Sequence, residues 1–174
     1  MSVKQQTKSK PSPSLQAWRS FRTAHAALAL RVGEELSERD LVPLDWLEVL
    51  LAVGEGPGRR LRMYELARIV FLSRSGLTRL ADRMTNAGLL AREQCPSDKR
   101  GSFAVLTSKG EAALRKAMPV YTAAVAEHFG GELTATALRT LRETLDRIAA
   151  QADVDDRILC AGAPGDTRGC PDGD

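Results

Sequence analysis

Apolar residues recur every three or four positions along much of the chain, a spacing that predicts amphipathic helices. The first helix is expected to begin at Leu15, and its stripe contains Leu15, Trp18, Phe21, His25, Leu28, Val32 and Leu36. A second helix is expected from Pro43, because proline at the first helical position loses no hydrogen bond. Its apolar positions are Trp46, Leu47, Leu50 and Leu51.

Two further helices are expected towards the C-terminal end. Ser108 and Glu111 match the S-x-x-E capping box, which would start a long helix reaching about Phe129. Pro119 lies inside that pattern and predicts a kink. Thr134 can cap a last helix, whose apolar stripe is Leu138, Leu141, Leu145 and Ile148.

Between these helices, residues 64–107 combine two short helical patterns with two strand-like runs. The apolar positions of the two helices are Leu66, Ile69 and Val70, then Leu77, Leu80, Ala81 and Met84. Gly88 follows, where a helix end favours a residue that tolerates positive φ. Residues 89–93 and 103–107 are the expected strands, joined by a charged loop with the sequence PSDKRG, and Arg60–Arg62 could add a third strand. The pattern predicts a helix-turn-helix followed by a basic wing.

The expected fold class is mainly α with a small β-wing, in which a winged helix-turn-helix core is flanked by terminal dimerisation helices. Neither terminal helix has enough partner surface in one chain, and two interleaved copies would bury both. A two-fold dimer would place two recognition helices about one DNA turn (~34 Å) apart, which suits a palindromic site. The expected divisions are a disordered arm (1–14), a dimerisation helix (15–42), a winged helix-turn-helix lobe (43–107), C-terminal dimerisation helices (108–150) and a flexible acidic tail (151–174).

Charge is unevenly distributed along the chain. Residues 59–109 contain eleven basic and four acidic side chains, whereas residues 132–156 contain three basic and six acidic ones. A basic centre is typical of a surface that binds a polyanion. No apolar run approaches the ~20 residues of a membrane span, and no secretory signal is present, so a cytoplasmic location is expected. No catalytic set, cofactor motif or metal-ligand spacing is found, and the two histidines are interpreted as core or interface residues.

Two groups of residues carry the expected DNA chemistry. The polar face of the second short helix presents Arg74, Ser75, Thr78, Arg79 and Asp82. Side chains near the start of a recognition helix reach base edges in the major groove, where arginine can bond guanine in bidentate fashion. In the loop, Asp98 precedes Lys99 and Arg100, so the carboxylate could hold the Arg100 guanidinium for entry into the minor groove.

These motifs resemble those of MarR-family regulators. The segment ELARIVFLSRSGLTRLADRMTNAGLL is similar to the family's helix-turn-helix, and Asp98-Lys99-Arg100 followed by a strand ending in Leu106-Thr107 is similar to its D-x-R wing. The resemblance implies a homodimeric winged-helix repressor that binds a palindromic operator. It assigns the recognition-helix role to Ser73–Arg83, where Ser73 and Arg83 are the end residues. It assigns the minor-groove role to Arg100, with Asp98 orienting its guanidinium.

The resemblance also implies a pocket for a small organic effector between the dimerisation helices and the DNA-binding lobe. The candidate lining residues are Trp18, Arg22, His25 and Trp46. Two alternatives remain open at this stage: a winged-helix module that binds an acidic protein partner, and a regulator that senses oxidation through a thiol such as Cys95. Catalysis has no support in the sequence.

Overall fold

The computed structural model describes residues 11–95 and 98–151, with the side chains of residues 95–100 outside the described set. Helix α1 spans Pro13–Ser37, so it begins two residues before the predicted Leu15. Ser12 is the N-cap, its hydroxyl accepts a hydrogen bond from the Leu15 N–H, and Pro13 occupies the first turn. Serine followed by proline is a helix-start signature, although both residues fall within the predicted disordered arm.

Helices α2 (Leu44–Glu55), α3 (Met63–Ile69) and α4 (Arg74–Asn86) follow, with a short 3-10 turn at Pro57–Arg59. Pro43 is the N-cap of α2, whereas the sequence predicts it as the first helical residue. Ile69 was expected on the buried face of α3, but it ends that seven-residue helix and is 52% exposed, while Ala67 is buried in its place. Gly88 has a φ of 75°, as the sequence predicts for the residue after α4.

The sheet has three antiparallel strands in the order β1 (Arg60–Arg62), β3 (Asp98–Leu106), β2 (Leu90–Cys95). The predicted third strand is therefore confirmed. The predicted six-residue loop is wrong in extent, because β3 already begins at Asp98, and Cys95 pairs with Asp98. The register changes between Gln94, which pairs with Ser102, and Cys95. This irregularity lets a charged, glycine-containing segment continue the strand instead of forming an open loop.

Helix α5 spans Ser108–Val125 and continues through a π-helical segment, Ala126–Gly130, and α6 spans Ala135–Gln151. The predicted capping box is wrong by one residue. Thr107 is the N-cap and accepts from the Gly110 N–H, while Glu111 forms an ion pair with Arg59 at 2.6 Å. Thr134 caps α6 as predicted, accepting from the Ala137 N–H.

Two apolar clusters share helix α2. The larger one lies in the winged lobe, where α2 contributes Val49, Leu50 and Val53 against the helix-turn-helix and the sheet. The smaller one joins α1, α2 and α5 and contains Val32, Leu36, Leu47, Ala117 and Ala124. In α6 no residue is buried, so its leucine stripe has little cover from the described part of this chain. The expected fold class, mainly α with a small β-wing, is confirmed.

Candidate nucleic-acid interface

Helix α4, the predicted recognition helix, has two clearly different faces. Its apolar face consists of Leu77, Leu80, Ala81 and Met84, all of which are buried in the lobe core, as the spacing predicted. Its other face is exposed and consists of Arg74, Ser75, Thr78, Arg79, Asp82 and Arg83. Burial of the first set fixes the rotation of the helix, so the second set must point away from the lobe. The polar face predicted from the sequence is thus presented to solvent as one continuous surface.

The start of α4 is fixed by its N-cap. The Ser73 hydroxyl accepts a hydrogen bond from the Gly76 N–H at 3.1 Å and lies 3.3 Å from the Ser75 hydroxyl. Ser73 is therefore engaged in capping and is only partly exposed, whereas Arg74 and Ser75 are exposed in the first turn. The Thr78 hydroxyl donates to the Arg74 carbonyl at 2.8 Å, which leaves its lone pairs available to a donor.

Arg92 on β2 contacts the predicted recognition helix and was not among the predicted site residues. Its guanidinium Nη2 lies 2.9 Å from Asp82 Oδ1 and donates to the Thr78 carbonyl at 3.2 Å. Arg92 pairs with Ala104 across the sheet, so both project towards the face on which Ala104 is buried. Strand alternation in β2 was the signal that could have placed Arg92 beneath α4. Because Asp82 is paired in this way, its carboxylate is held towards β2 and is not a free group on the polar face.

The junction between the recognition helix, the wing and α5 is built on Thr107. Its hydroxyl lies 2.7 Å from the Gly88 carbonyl and 3.0 Å from the Leu89 carbonyl, and it accepts from the Gly110 N–H at 3.0 Å. Lys109 adds a hydrogen bond from its Nζ to the Ala87 carbonyl at 2.8 Å. The end of α4 is therefore attached to the first turn of α5 through side chains of two neighbouring residues.

The outer face of the sheet is basic and aromatic. The guanidinium carbons of Arg60 and Arg62 lie 4.9 and 5.5 Å from the centre of the Phe103 ring, within cation–π range. Arg60 also lies 3.6 Å from a carboxylate oxygen of Glu93. Further along the wing, the side chains of Asp98, Lys99 and Arg100 lie outside the described residues, so the predicted minor-groove contact stays a prediction.

Comparison with known proteins agrees with this geometry. A model of the MarR family matches residues 41–101, which include the helix-turn-helix and most of the wing. AbsC, a MarR family transcriptional regulator from Streptomyces coelicolor, is 34% identical with a TM-score of 0.75, and the alignment covers 84% of this chain and 98% of AbsC. The chain belongs to the MarR family of transcriptional regulators.

Two other relatives extend the comparison. Sco3205, a MarR family regulator of Streptomyces coelicolor solved in complex with DNA, is 31% identical with a TM-score of 0.76, over 86% of this chain and 96% of Sco3205. YkoM of Bacillus subtilis, an HTH-type transcriptional regulator, is 26% identical over 68% of this chain and 75% of its own length. Membership of this family confirms the expectation of a DNA-binding regulator rather than an enzyme.

The effector residues predicted for this MarR-family regulator lie on two helices. Trp18, Arg22 and His25 are exposed on the N-terminal part of α1, where Phe21 lies 6.2 Å from the Trp18 ring and 6.4 Å from the His25 ring. Trp46 on α2 is half-buried and packs against the core of the winged lobe. The four residues stay candidates.

Glu48 and Tyr121, which were not among the predicted candidates, add polar groups near His25. Partial burial raises the pKa of the Glu48 carboxyl, against a lowering influence of the nearby His25. Burial, followed by the charge of Glu48, raises the pKa of the Tyr121 phenol. Titratable groups of α1, α2 and α5 are thus within electrostatic reach of one another. None of the helices in the described ranges is long and apolar enough to span a membrane.

Proposed function

We propose that this regulator binds a palindromic DNA operator as a homodimer, represses transcription there, and is released by a small organic effector. The observation that carries the DNA-binding proposal is the exposed, basic face of α4, on which Arg74, Ser75, Thr78 and Arg79 precede Arg83. Arginine, serine and threonine supply the hydrogen bonds that read base edges in the major groove. The DNA complex of the similar Sco3205 supports this use of the fold.

The roles proposed for the arginines of α4 follow from their positions and contacts. Arg79 is exposed in the middle of the polar face and is proposed to read a base. Arg83 is near the far end and lies 3.8 Å from Asp45 on α2, so we assign it to the phosphate backbone. Arg100 in the wing is proposed to enter the minor groove, with Asp98 orienting it.

The experiment is a titration of a fluorescent operator fragment with wild type and three variants. Arg79→Ala should lose about 5- to 150-fold in affinity for the operator, corresponding to about 1–3 kcal/mol for a base contact, and should relax specificity. Arg100→Ala should also weaken operator binding. Arg115→Ala, which removes an exposed arginine of α5 outside the proposed interface, is the matched control and should bind as wild type.

Salt dependence separates DNA from an acidic protein partner as the target of this surface. The logarithm of operator affinity should fall with the logarithm of salt concentration, with a slope near −0.9 per phosphate neutralised. Binding that is equal in the Arg79→Ala, Arg115→Ala and wild-type proteins, with no salt dependence, would contradict the proposed interface.

Homodimerisation is proposed from the apolar surface that one chain leaves exposed. Leu15, Trp18 and Phe21 on α1 are 40%, 55% and 46% exposed, and Ile148 on α6 is 56% exposed. Large exposed apolar side chains on two terminal helices are what a second copy of those helices would cover. Sedimentation should find a dimer in the wild type. Leu145→Glu should shift it towards monomer and reduce operator affinity, whereas a monomeric wild type that binds the full operator would contradict the proposal.

The effector proposal depends on the two tryptophans, Trp18 and Trp46, which are the only ones in the chain. A compound that lowers operator affinity by binding beside them should also quench tryptophan fluorescence. Arg22→Ala should weaken both effects in parallel. Release of the operator without any fluorescence change would place the effector elsewhere.

A further inference from the structure

Three metal-ligating side chains meet at the end of α1, away from the recognition helix. Glu35 lies two residues before the end of α1, while Glu127 and His128 lie in the π-helical segment that follows α5. One ligand atom of each residue lies within 4.8 Å of a ligand atom of the other two. Single π-helical turns are rare and occur frequently at functional sites. Residues nearly a hundred positions apart in the chain are thereby brought to one point.

The contacts within this cluster are uneven. His128 Nε2 lies 2.9 Å from Glu35 Oε1, and these two side chains are 18% and 23% exposed. The other oxygen of Glu35, Oε2, accepts from Arg39 Nη1 at 3.1 Å, so the carboxylate is held with Oε1 turned towards the imidazole. The hydrogen bond with His128 is the main cause that lowers the pKa of Glu35, and the Arg39 charge adds to it.

The ion pair between Glu35 and His128 does not account for the position of the Glu127 carboxylate. Its exposed carboxylate has no hydrogen bond or ion pair with another residue in the described ranges, although it lies within reach of both Glu35 and His128. His128 Nε2 carries at most one proton and can donate it to only one carboxylate. Two carboxylates whose oxygens lie within 4.8 Å of each other and of one imidazole ring repel each other, and a divalent cation between the three groups would remove that repulsion.

We propose that Glu35, Glu127 and His128 form a binding site for a divalent transition metal such as Zn²⁺. Imidazole nitrogen and carboxylate oxygen are ordinary zinc ligands, and three protein ligands leave a fourth position for water. With metal–ligand bonds of about 2.0–2.1 Å, ligand atoms in a tetrahedral site lie about 3.3 Å apart. His128 Nε2 and Glu35 Oε1 lie 2.9 Å apart, and all three ligand atoms lie within 4.8 Å of one another, so this spacing falls inside the observed range. Arg39 would act as the outer hydrogen-bond partner that orients Glu35.

The location gives the metal a defined effect on the fold. Glu35 belongs to α1, whereas Glu127 and His128 belong to the segment that connects α5 with α6. A bound ion would therefore link α1 to the segment that leads into α6, and both of these helices carry exposed apolar residues. Because the ion binds only the folded chain, it should raise the melting temperature in proportion to the logarithm of its concentration over Kd.

The test is calorimetric titration of zinc into the full chain carrying Cys95→Ser, Cys160→Ser and Cys170→Ser, which removes the competing thiols. We expect one zinc per chain with a Kd of about 10 μM or tighter, which is about −7 kcal/mol. His128→Ala should weaken binding at least about 100-fold, since loss of outer-sphere partners alone costs 10–100-fold at metal sites. Co²⁺ should give the visible absorption bands of tetrahedral coordination, which a merely structural ion pair would not produce.

Two variants keep the result interpretable if His128→Ala unfolds the chain. Glu127→Gln changes an exposed side chain and removes one of the two repelling charges, so the melting temperature of the metal-free protein should not fall, yet zinc binding should weaken at least 10-fold. His25→Ala removes the only other histidine and should bind zinc as the parent does. The proposal is wrong if the parent binds no zinc below about 1 mM, if Glu127→Gln binds as well as the parent, or if His25→Ala abolishes binding.

Discussion

Thr107→Val tests the junction that connects the recognition helix to α5. Valine has nearly the shape of threonine but lacks the hydroxyl, which caps α5 through the Gly110 N–H at 3.0 Å and lies 2.7 Å from the Gly88 carbonyl. Loss of an N-cap costs about 0.5–2 kcal/mol. Leaving partly buried groups such as the Gly88 carbonyl without their partner adds about 1–3 kcal/mol. We therefore expect Thr107→Val to lower the free energy of unfolding by about 2–4 kcal/mol.

The assay is urea unfolding followed by circular dichroism, at one fixed protein concentration. Thr107→Ser retains the hydroxyl and should cost less than about 1 kcal/mol, the value of the lost methyl group. Thr134→Val is the matched control, because Thr134 caps α6 with one exposed hydrogen bond of 3.2 Å and should cost only about 0.5–1 kcal/mol. Equal losses for Thr107→Val and Thr134→Val would refute the reasoning, since they would show that the additional contacts of Thr107 contribute nothing.

Four further substitutions test other features of the fold by thermal or urea unfolding. Phe71 has a φ of 52° and is 75% exposed, so Phe71→Asn should stabilise the chain by about 0.5–1 kcal/mol, whereas Gly88→Ala, at a φ of 75°, should destabilise it by about 1–2 kcal/mol. If both changes are neutral, backbone strain at the two helix ends is negligible. Gly110→Ala should cost about 3 kcal/mol or more because its Cβ would overlap the Leu89 carbonyl oxygen, and a loss below 1 kcal/mol would contradict that packing. Glu48→Gln should raise the melting temperature at pH 7 but not at pH 3, because a raised folded-state pKa means that the ionised carboxylate opposes folding above its usual pKa; an equal effect at both pH values would contradict this cause.

The helical part of the fold was readable from apolar spacing because burial of one face dominates helix placement. In α4 the four predicted apolar residues are all buried, and the position of Gly88 marked the helix end. The errors fall at element boundaries, where one or two hydrogen bonds decide. Thr107 rather than Ser108 caps α5 because its hydroxyl also reaches the Gly88 and Leu89 carbonyls, and those contacts are distant in sequence.

The site was predicted less completely than the fold. The exposed face of α4 follows from helical periodicity, whereas the role of Arg92 depends on which face of β2 lies under that helix. Phe71 shows a second limit, since a bulky residue in the left-handed region opposes local preference. The Leu72 N–H bonds the Ala67 carbonyl at 3.0 Å across this residue, so the turn between α3 and α4 is closed by backbone hydrogen bonds that no side-chain pattern reveals.

Helix α2 connects the packing of α1 and α5 with the proposed DNA-binding surface, so a shift of α1 or α5 would be transmitted through it. Leu47 belongs to the cluster with α1 and α5, while Leu50, less than one turn further along, belongs to the core of the winged lobe. Asp45 at the start of the same helix lies 3.8 Å from Arg83 of the recognition helix. Both cores are close-packed against one rigid helix, so the lobe cannot turn relative to α1 and α5 without repacking one of them. A ligand that binds one such packing more tightly would shift the equilibrium towards it by no more than the difference between its two binding free energies. In the proposed dimer, this shift would change the spacing of the two predicted recognition helices.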